Sequence, residues 1–268
     1  NGYTMSEDEN MHILVTNDDG VSAPGLLALA QAMRKMGKVS VLAPDHNWSG
    51  SGHVKTLDRP LRAKPYVMAD GEMALASDGA PSDCVALGLM GVLEEPVDLV
   101  VSGINPSPNV GHDLTYSGTV TAAMEASIFG VRGIAVSVDG YKAPRGAMSY
   151  EAAAEVTLRI AKMVVEHDFP TEYLLNVNVP YLPLDELKGF RFTRQGMRIY
   201  QDELVKRLDP RGVPYYWIGG EAPTGVPEDG TDIGALAEGY VSITPVHLDL
   251  TAYHMLEKMR SWEFPNQA

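Results

Sequence analysis

The sequence predicts a doubly wound α/β fold, in which a mostly parallel β-sheet is covered by helices on both faces. Short, largely apolar runs such as His12–Thr16 are typical of strands that are buried on both sides. These runs alternate with longer segments of helical periodicity, which is the pattern of a parallel sheet. Polar loops rich in glycine, asparagine and serine follow several of the runs, where ligands bind in such folds.

Five short apolar runs are predicted to form the strands of this sheet. Each is rich in valine, leucine, isoleucine or alanine, and turn-forming residues separate it from the next element. Apolar residues at successive positions indicate strands covered on both faces, as in a Rossmann-like sheet. In chain order the predicted strands are His12–Thr16, Val39–Ala43, Met73–Ser77, Asp98–Ser102 and Gly133–Val138.

Four segments between and after these strands are predicted to be helices. The first has Pro24 near its start and Gly37 directly after its end, the usual positions of these residues at helix boundaries. The last is the longest, and its apolar residues recur at helical spacing. In chain order the predicted helices are Leu26–Met36, Pro81–Leu93, Gly118–Gly130 and Tyr150–His167.

The alternation stops after about residue 180. Three further strands are predicted among long stretches rich in glycine and proline, and a terminal helix is predicted over Leu250–Trp262. We therefore expect an α/β core with the active site over residues 11–180 and a β-rich extension over 181–268. Such an irregular tail suits an oligomerisation arm better than another core layer. Its strands are predicted at Phe190–Thr193, Tyr215–Gly220 and Tyr240–Thr244.

Composition and charge limit the classes of function. Hydrophobic residues make up 45% of the 268, as in ordinary globular proteins. There are 21 Lys and Arg against 35 Asp and Glu, so the formal net charge is −14. This balance argues against a nucleic acid duplex as partner, because such binding needs a basic face. A small anionic substrate fits if a metal ion and backbone N–H groups supply positive potential locally.

No segment suggests a membrane protein or an oxidising compartment. No run approaches the roughly 20 apolar residues that span a bilayer. The single cysteine, Cys84, cannot form an internal disulfide, and its apolar surroundings predict a buried thiol on a helix rather than a nucleophile. Residues 1–10 are polar and acidic, unlike a signal peptide, and are expected to be a disordered leader. We therefore expect a cytoplasmic protein.

Asp18 and Asp19 follow directly on the first predicted strand. Two adjacent carboxylates repel each other by about 1 kcal/mol even when solvated, so something is expected to offset their charge. A hard divalent cation held by oxygen ligands would do so, and Gly20 would let the backbone turn sharply away. The alternative is an ordinary solvated Asp-Asp-Gly turn, and this motif alone does not decide between them.

The loop after the second predicted strand is rich in hydroxyl, amide and backbone donors. It comprises residues 45–53, and its glycines permit close approach of a ligand. His46 and His53 within it are candidate metal ligands or general acids, but their spacing is not that of a zinc site. A surface or supporting role remains the alternative for each.

The third loop, Gly103–Ser117, ends at a predicted anion-binding site. Ser117, Gly118 and Thr119 open a helix of small residues, so unpaired N–H groups, hydroxyls and the helix dipole converge there. The alternative is that Ser117 serves only as the helix N-cap. Because three such loops are expected at one edge of the sheet, the binding interpretation gains weight.

Five segments together resemble the SurE family of stationary-phase survival proteins, which are nucleotidases. They occur in the family's order and spacing, and the resemblance extends from residue 11 to about residue 251. The first and fourth segments are highly specific and are not generic α/β motifs. The segments are ILVTNDDGVSAPGL (13–26), VLAPDHNWSGSGH (41–53), DGAPSDCV (78–85), DLVVSGINPSPNVGHDLTYSGTVTAAMEA (98–126) and GYVSITPVHLDLT (239–251).

The resemblance implies a metal-dependent phosphatase that hydrolyses nucleoside 5′- and 3′-monophosphates, often with side activity on short polyphosphate. It also implies a homodimer or homotetramer built partly by exchange of the C-terminal segment. One divalent ion per subunit, Mg²⁺ or Mn²⁺, is expected. Its implied ligands are Asp18, Asp19, Ser49 and Asn105.

A mechanism follows as a hypothesis. The metal would polarise a phosphoryl oxygen and lower the pKa of a water molecule. Asp18 or Asp19 would act catalytically by orienting or deprotonating that water. The residues expected to bind the phosphate are Ser117, Gly118 and Thr119, with further hydrogen bonds from Asn105 and Asn109.

Two features depart from the family pattern. Family members commonly have glycine two positions after the first asparagine of the third loop, whereas this chain has Ser107 between two prolines. The stretch over Tyr200–Asp232 is also longer than expected. The first bears on how the base or sugar is accommodated, and the second on substrate access and assembly. Neither affects the expected metal ligands.

Rival functions are less consistent with these motifs. A phospho-acceptor signalling domain also has paired acids after its first strand, but no acceptor aspartate follows the Leu99–Ser102 strand. A passive nucleotide-binding module would avoid carboxylates beside the phosphate. Dinucleotide-dependent oxidoreduction would require G-x-G-x-x-G after the first strand. Phosphatases of the haloacid dehalogenase type need acids two residues apart, and these are adjacent.

Overall fold

A nine-stranded sheet forms the centre of the computed structural model, which describes residues 11–144 and 148–262, without the side chains of 201, 202 and 220–223. The leader expected over residues 1–10 lies outside this range. The described residues contain eleven strands: β1 (His12–Thr16), β2 (Lys38–Pro44), β3 (Ala63–Val67), β4 (Met73–Ser77), β5 (Leu99–Asn105), β6 (Arg132–Val138), β7 (Tyr173–Val179), β8 (Phe190–Phe192), β9 (Arg198–Leu208), β10 (Pro214–Gly225) and β11 (Val241–His247).

The order of strands in the large sheet is β3-β4-β2-β1-β5-β6-β7-β11-β8. The six strands from β4 to β7 in this order are parallel to one another, which confirms the predicted mostly parallel sheet. The edge strand β3 is antiparallel to β4, and β11 is antiparallel to β7. From β1 the chain adds β2 and β4 on one side of the sheet, and it then adds β5, β6 and β7 on the other side. The carboxyl ends of β1 and β5 therefore lie at the topological switch point, where doubly wound folds bind ligands.

Helices cover both faces of this sheet. The described helices are α1 (Pro24–Met33), α2 (Pro81–Leu87), α3 (Gly118–Ile128), α4 (Glu151–Glu166), α5 (Asp232–Ala237) and α6 (Tyr253–Met259). Along β1, Ile13 and Val15 pack in the cluster that contains α1 and α4, whereas Leu14 packs with α2 and α3. Since successive strand residues point to opposite faces, α1 and α4 lie on one face and α2 and α3 on the other.

The predicted helix over Pro81–Leu93 is shorter in the structure. The α-helix ends at Leu87 and continues as a π-helical turn, Gly88–Val92, in which Gly91 adopts φ +116°. Only glycine adopts this backbone conformation readily, so the regular helix cannot continue through it. Cys84 is buried on α2, as predicted, and burial raises the pKa of its thiol far above the ordinary value.

Two strands expected in the C-terminal extension belong to the large sheet. Strand β11 pairs with β7 on one side and with β8 on the other, so the expected boundary at residue 180 does not coincide with an edge of the sheet. Strand β11 reads VSITPVH and is buried over its first four residues, as in a core strand.

The part of the extension that stands apart from the sheet is the antiparallel hairpin of β9 and β10, which we call the arm. Its ends are fixed to the core, since Arg198 forms an ion pair with Asp113 at 2.7 Å and Tyr200 donates a hydrogen bond to the same carboxylate at 2.6 Å. Several of its large apolar side chains are exposed, among them Leu204, Trp217 and Ile218.

None of the helices in the described part of the chain is long and apolar enough to cross a membrane.

Candidate active site

Asp18 lies at the junction between β1 and the N-terminus of α3. Its side chain is buried, with only 3% of the residue exposed, and Thr119 donates a hydrogen bond from Oγ1 to Asp18 Oδ1 at 2.6 Å. The backbone N–H groups of Gly118 and Thr119 lie near this carboxylate and lower its pKa. The approach is close because residue 118 is glycine: a Cβ there would lie 2.7 Å from Cβ of Asp18. The first and third predicted loops therefore meet at this residue.

The three groups predicted to bind phosphate are brought together, but two of them already have a hydrogen-bond partner. The Oγ of Ser117 accepts a hydrogen bond from Val120 N at 3.1 Å, so Ser117 is the N-cap of α3. Thr119 Oγ1 donates to Asp18, as described above. The Asp18 carboxylate thus occupies part of the N-terminus of α3, where a phosphate was expected to bind.

Two acids with raised pKa values lie side by side here. Burial raises the pKa of Asp18, and the hydrogen bonds from Thr119 and Gly118 only partly oppose that effect. The pKa of Asp19 is raised to about 6, first by burial and then by the charge of Asp18, although a hydrogen bond from Asn47 partly opposes both effects. Within residues 11–144 and 148–262, neither carboxylate forms an ion pair with Lys, Arg or His.

Asn47 connects Asp19 to Ser49. Its Nδ2 donates to Asp19 Oδ1 at 3.3 Å, and its Oδ1 accepts from Ser49 N at 2.8 Å. The neighbouring Trp48 N donates to the backbone oxygen of Asp18 at 2.7 Å, so the second loop is fastened to the first. Asn47 was not among the predicted site residues. The feature of the sequence that could have identified it is an asparagine two residues before a serine, the pattern of an Asx turn.

Both candidate histidines have carboxylate partners. His46 Nδ1 lies 2.5 Å from Asp45 Oδ1 on the surface, and His53 Nε2 lies 2.9 Å from Oε2 of the buried Glu125. Lys55 Nζ lies 2.5 Å from the other oxygen of Glu125. These contacts favour the supporting role for His53, because its ring faces α3. Among the described residues no group of three or more His, Cys, Asp or Glu side chains forms a metal-binding cluster.

Glu125 is a second residue that the sequence analysis did not assign. It is the one acid within a helix of small and apolar residues, and this is the feature of the sequence that could have identified it. With Thr121, whose Oγ1 donates to Gly52 O at 3.1 Å, it anchors the end of the second loop on α3. The loop that presents Ser49 therefore has a fixed stem.

Asn105 ends β5, the strand next to β1. The parallel pairing of β1 and β5 places it at the same edge of the sheet as Asp18. Its Nδ2 donates to Ser107 O at 2.6 Å, which holds the side chain against its own loop. This bond does not use its side-chain oxygen.

Asn109 is buried in a polar network beneath the third loop. Its Nδ2 donates to Ser137 Oγ at 2.7 Å, and its backbone oxygen accepts from Asn176 and Asn178 on β7. Asn178 Oδ1 in turn accepts from Asn109 N at 2.8 Å. These bonds hold the backbone of the third loop in place, so Asn109 positions that loop.

The chain is similar in sequence to other proteins along most of its length. The family model described as Survival protein SurE matches residues 13–202. A protein of Herpetosiphon aurantiacus named 5′-nucleotidase SurE is 52% identical over 250 residues, which are 93% of this chain and 97% of that protein. A protein of Chloroflexus aggregans with the same name is 50% identical over 254 residues, 95% of this chain and 100% of that protein.

A solved structure agrees with the fold. The crystal structure of the SurE protein from Aquifex aeolicus superimposes with a TM-score of 0.78 at 42% sequence identity. The match covers 93% of this chain and 98% of that one.

Proposed function

The chain belongs to the SurE family, and on that premise we propose that it is a 5′-nucleotidase, which hydrolyses nucleoside 5′-monophosphates to a nucleoside and phosphate. The observation that supports this function within the site is the pair Asp18 and Asp19. These two acids lie at the switch point of the sheet and have no cationic side chain of the described residues as an ion-pair partner.

The donor set fits a hard divalent cation. Two adjacent carboxylates, a serine hydroxyl and an amide oxygen are all oxygen ligands, as Mg²⁺ and Mn²⁺ prefer. The raised pKa values of Asp18 and Asp19 indicate that their charges are poorly compensated by the protein alone. We propose that Asp18, Asp19, Ser49 and Asn105 hold one such ion per subunit.

The residues of the chain would then divide the work as follows. A bound ion would supply Lewis-acid polarisation of the phosphoryl group and lower the pKa of a nearby water. Asp19, which is partly exposed, would accept a proton from that water.

Asp18 would fix the geometry, because its hydrogen bond to Thr119 couples the acid to the N-terminus of α3. The hydroxyl proton of Ser117 is not used in the N-cap bond and is available to the phosphate. Gly118, Thr119 and Asn105 complete the proposed phosphate site, and Asn109 would contribute by holding the third loop.

Several finer properties belong to the same proposal. Activity on 3′-monophosphates and on short polyphosphate, a homodimer or homotetramer with exchanged C-terminal segments, and a cytoplasmic location are all proposed here. The exposed apolar side chains of the arm support assembly, because contiguous exposed apolar surface is typical of an interface. The net charge of −14 supports a small substrate over a nucleic acid duplex.

A phosphate-release panel tests the function. The protein is incubated with 5′- and 3′-monophosphates and with polyphosphate, in Mg²⁺, in Mn²⁺ and in chelator. We expect release from the 5′-monophosphates that chelator abolishes. Asp18→Asn should lower turnover at least 100-fold while thermal unfolding shows an intact fold, and Asp229→Asn, at a fully exposed acid, should not. Undiminished activity in chelator would contradict the metal scheme.

A further inference from the structure

We propose that a cleft of about 550 Å³ next to the Asp18–Asp19 pair binds the base and sugar of the substrate, an inference that rests on the nucleotidase function proposed above. Three loops at the carboxyl edge of the sheet and the residues before α4 line it. They contribute Pro24, Pro106, Ser107, Gly140, Tyr141, Ala143, Pro144, Met148 and Tyr150. Its volume is within the range of small-molecule sites.

The cleft is continuous with the proposed metal site along the chain and in space. Pro106 and Ser107 follow directly on Asn105, and the Asn105 amide bonds to Ser107 O at 2.6 Å. Burial, and then the negative charge of Asp19, raise the pKa of Tyr150, so the Asp19 carboxylate is near enough to act on this ring. A group bonded to a phosphate at Asp18 and Asp19 would therefore lie on the side of the acid pair where Ser107 and Tyr150 line the cleft.

The cleft and the N-terminus of α3 lie on different faces of the sheet, and their positions predict how the substrate is oriented. The cleft lies at the starts of α1 and α4, on one face, whereas the N-terminus of α3 belongs to the other. Asp18 and Asp19 lie between them, at the end of β1. A nucleotide whose phosphate approaches Ser117 and Gly118 would therefore extend its nucleoside toward the cleft.

The chemistry of the lining matches an uncharged planar group. Among the described lining residues none is charged, and their rings and flat faces are those of two tyrosines and three prolines, with the Met148 thioether beside them. Such surfaces stack on aromatic bases. Because few polar groups of the lining can read base edges, the cleft should accept different bases.

Tyr141 is the ring best placed to contact a base. It lies on the short helical turn Gly140–Lys142, and 53% of the residue is exposed. The turn is held on the third loop, since Gly140 N donates to Pro106 O at 3.2 Å and a Cβ at residue 140 would lie 2.1 Å from that oxygen. Lys142 is further paired with Asp139 at 2.9 Å. The ring is thus available on a fixed support.

Comparing two substrates for one variant tests the cleft. In Tyr141→Ala, we expect KM for AMP to rise about tenfold, the loss of one base–aromatic stacking contact, with kcat nearly unchanged. On glycerol 2-phosphate, which has no ring, kcat/KM should stay within twofold of wild type. Tyr141→Phe keeps the ring and should behave as wild type. Tyr173→Ala, at an exposed tyrosine on the opposite edge of the sheet, is the matched control.

Binding of adenosine, measured by calorimetry, separates this proposal from the function itself. Wild-type protein should bind adenosine and Tyr141→Ala should bind it about tenfold more weakly. Hydrolysis of AMP with the same KM in both proteins would overturn the cleft and leave the nucleotidase intact. Equal losses on AMP and glycerol 2-phosphate would also overturn it. Adenosine binding without AMP hydrolysis would instead contradict the proposed function and leave the cleft standing.

Discussion

Replacing Gly118 by alanine would place a methyl group where there is no room for one. The new Cβ would lie 2.7 Å from Cβ of Asp18, 3.1 Å from its Oδ2 and 3.2 Å from Cγ of Pro81. Carbon atoms in contact are normally 3.5–4.0 Å apart, so Asp18 or the start of α3 must move by about 1 Å. That shift would break the 2.6 Å hydrogen bond between Thr119 and Asp18.

Two effects of opposite sign make this variant informative. In a helix without obstruction, glycine to alanine stabilises by about 0.8–1.0 kcal/mol. Overpacking a buried contact costs about 1–3 kcal/mol, so the net change at Gly118 is expected to be destabilising by about 1–2 kcal/mol. A misplacement of about 1 Å in a catalytic group costs roughly 100-fold in rate, and turnover should therefore fall about 100-fold at saturating metal.

Phosphate release and thermal unfolding would be measured on the same preparations. Gly219→Ala is the matched control, because residue 219 has no atom within 4 Å of an added Cβ and does not adopt positive φ. It should leave both quantities near wild type. A Gly118→Ala protein that is more stable than wild type and keeps its turnover would refute the packing of Asp18 on α3 described here.

Three further outcomes are expected from the surroundings of the acid pair. Since burial raises the pKa of Asp19 from 3.8 to about 6, calorimetry should show metal binding weakening as the pH falls through about 6. Conversely the metal-free fold should lose stability as the pH rises through that value, and Asp19→Asn should reduce this dependence to the part that Asp18 contributes; an unchanged dependence would contradict the assignment. Asn47→Ala removes the link between Asp19 and Ser49 and should weaken metal binding about tenfold; unchanged affinity would exclude that link. Glu125→Gln leaves a lysine and a histidine without their buried carboxylate and should cost about 1–2 kcal/mol in denaturant unfolding, whereas Glu155→Gln, at a surface pair, should cost under about 0.5 kcal/mol.

The meeting of Asp18 with the start of α3 could be anticipated from the sequence, because the ends of neighbouring parallel strands share one edge of the sheet. The apolar runs located β1, β2, β4, β5 and β6, whereas their order in the sheet is known only from the structure. The prediction that loops one, two and three converge therefore needed only strand positions and the rule for ligand sites.

Other features depend on contacts that no local pattern reveals. Strand β7 was not predicted, because Asn176 and Asn178 interrupt its apolar run; they are buried only because Asn109 meets them from another loop. The roles of Asn47 and Glu125 likewise arise from partners 28 and 72 residues away along the chain. The sequence analysis expected a phosphate at the N-terminus of α3, and only the structure shows that Asp18 already bonds there.

The position of β11 has a consequence for the order in which the chain can fold during synthesis. Among the described strands, β8 pairs in the sheet only with β11, which follows it by about 50 residues, so β8 has no place in the sheet when it leaves the ribosome. The arm lies between them in sequence and pairs only with itself, so it can form first from local contacts. The nascent protein would thus present a finished hairpin while the far edge of its sheet is still open.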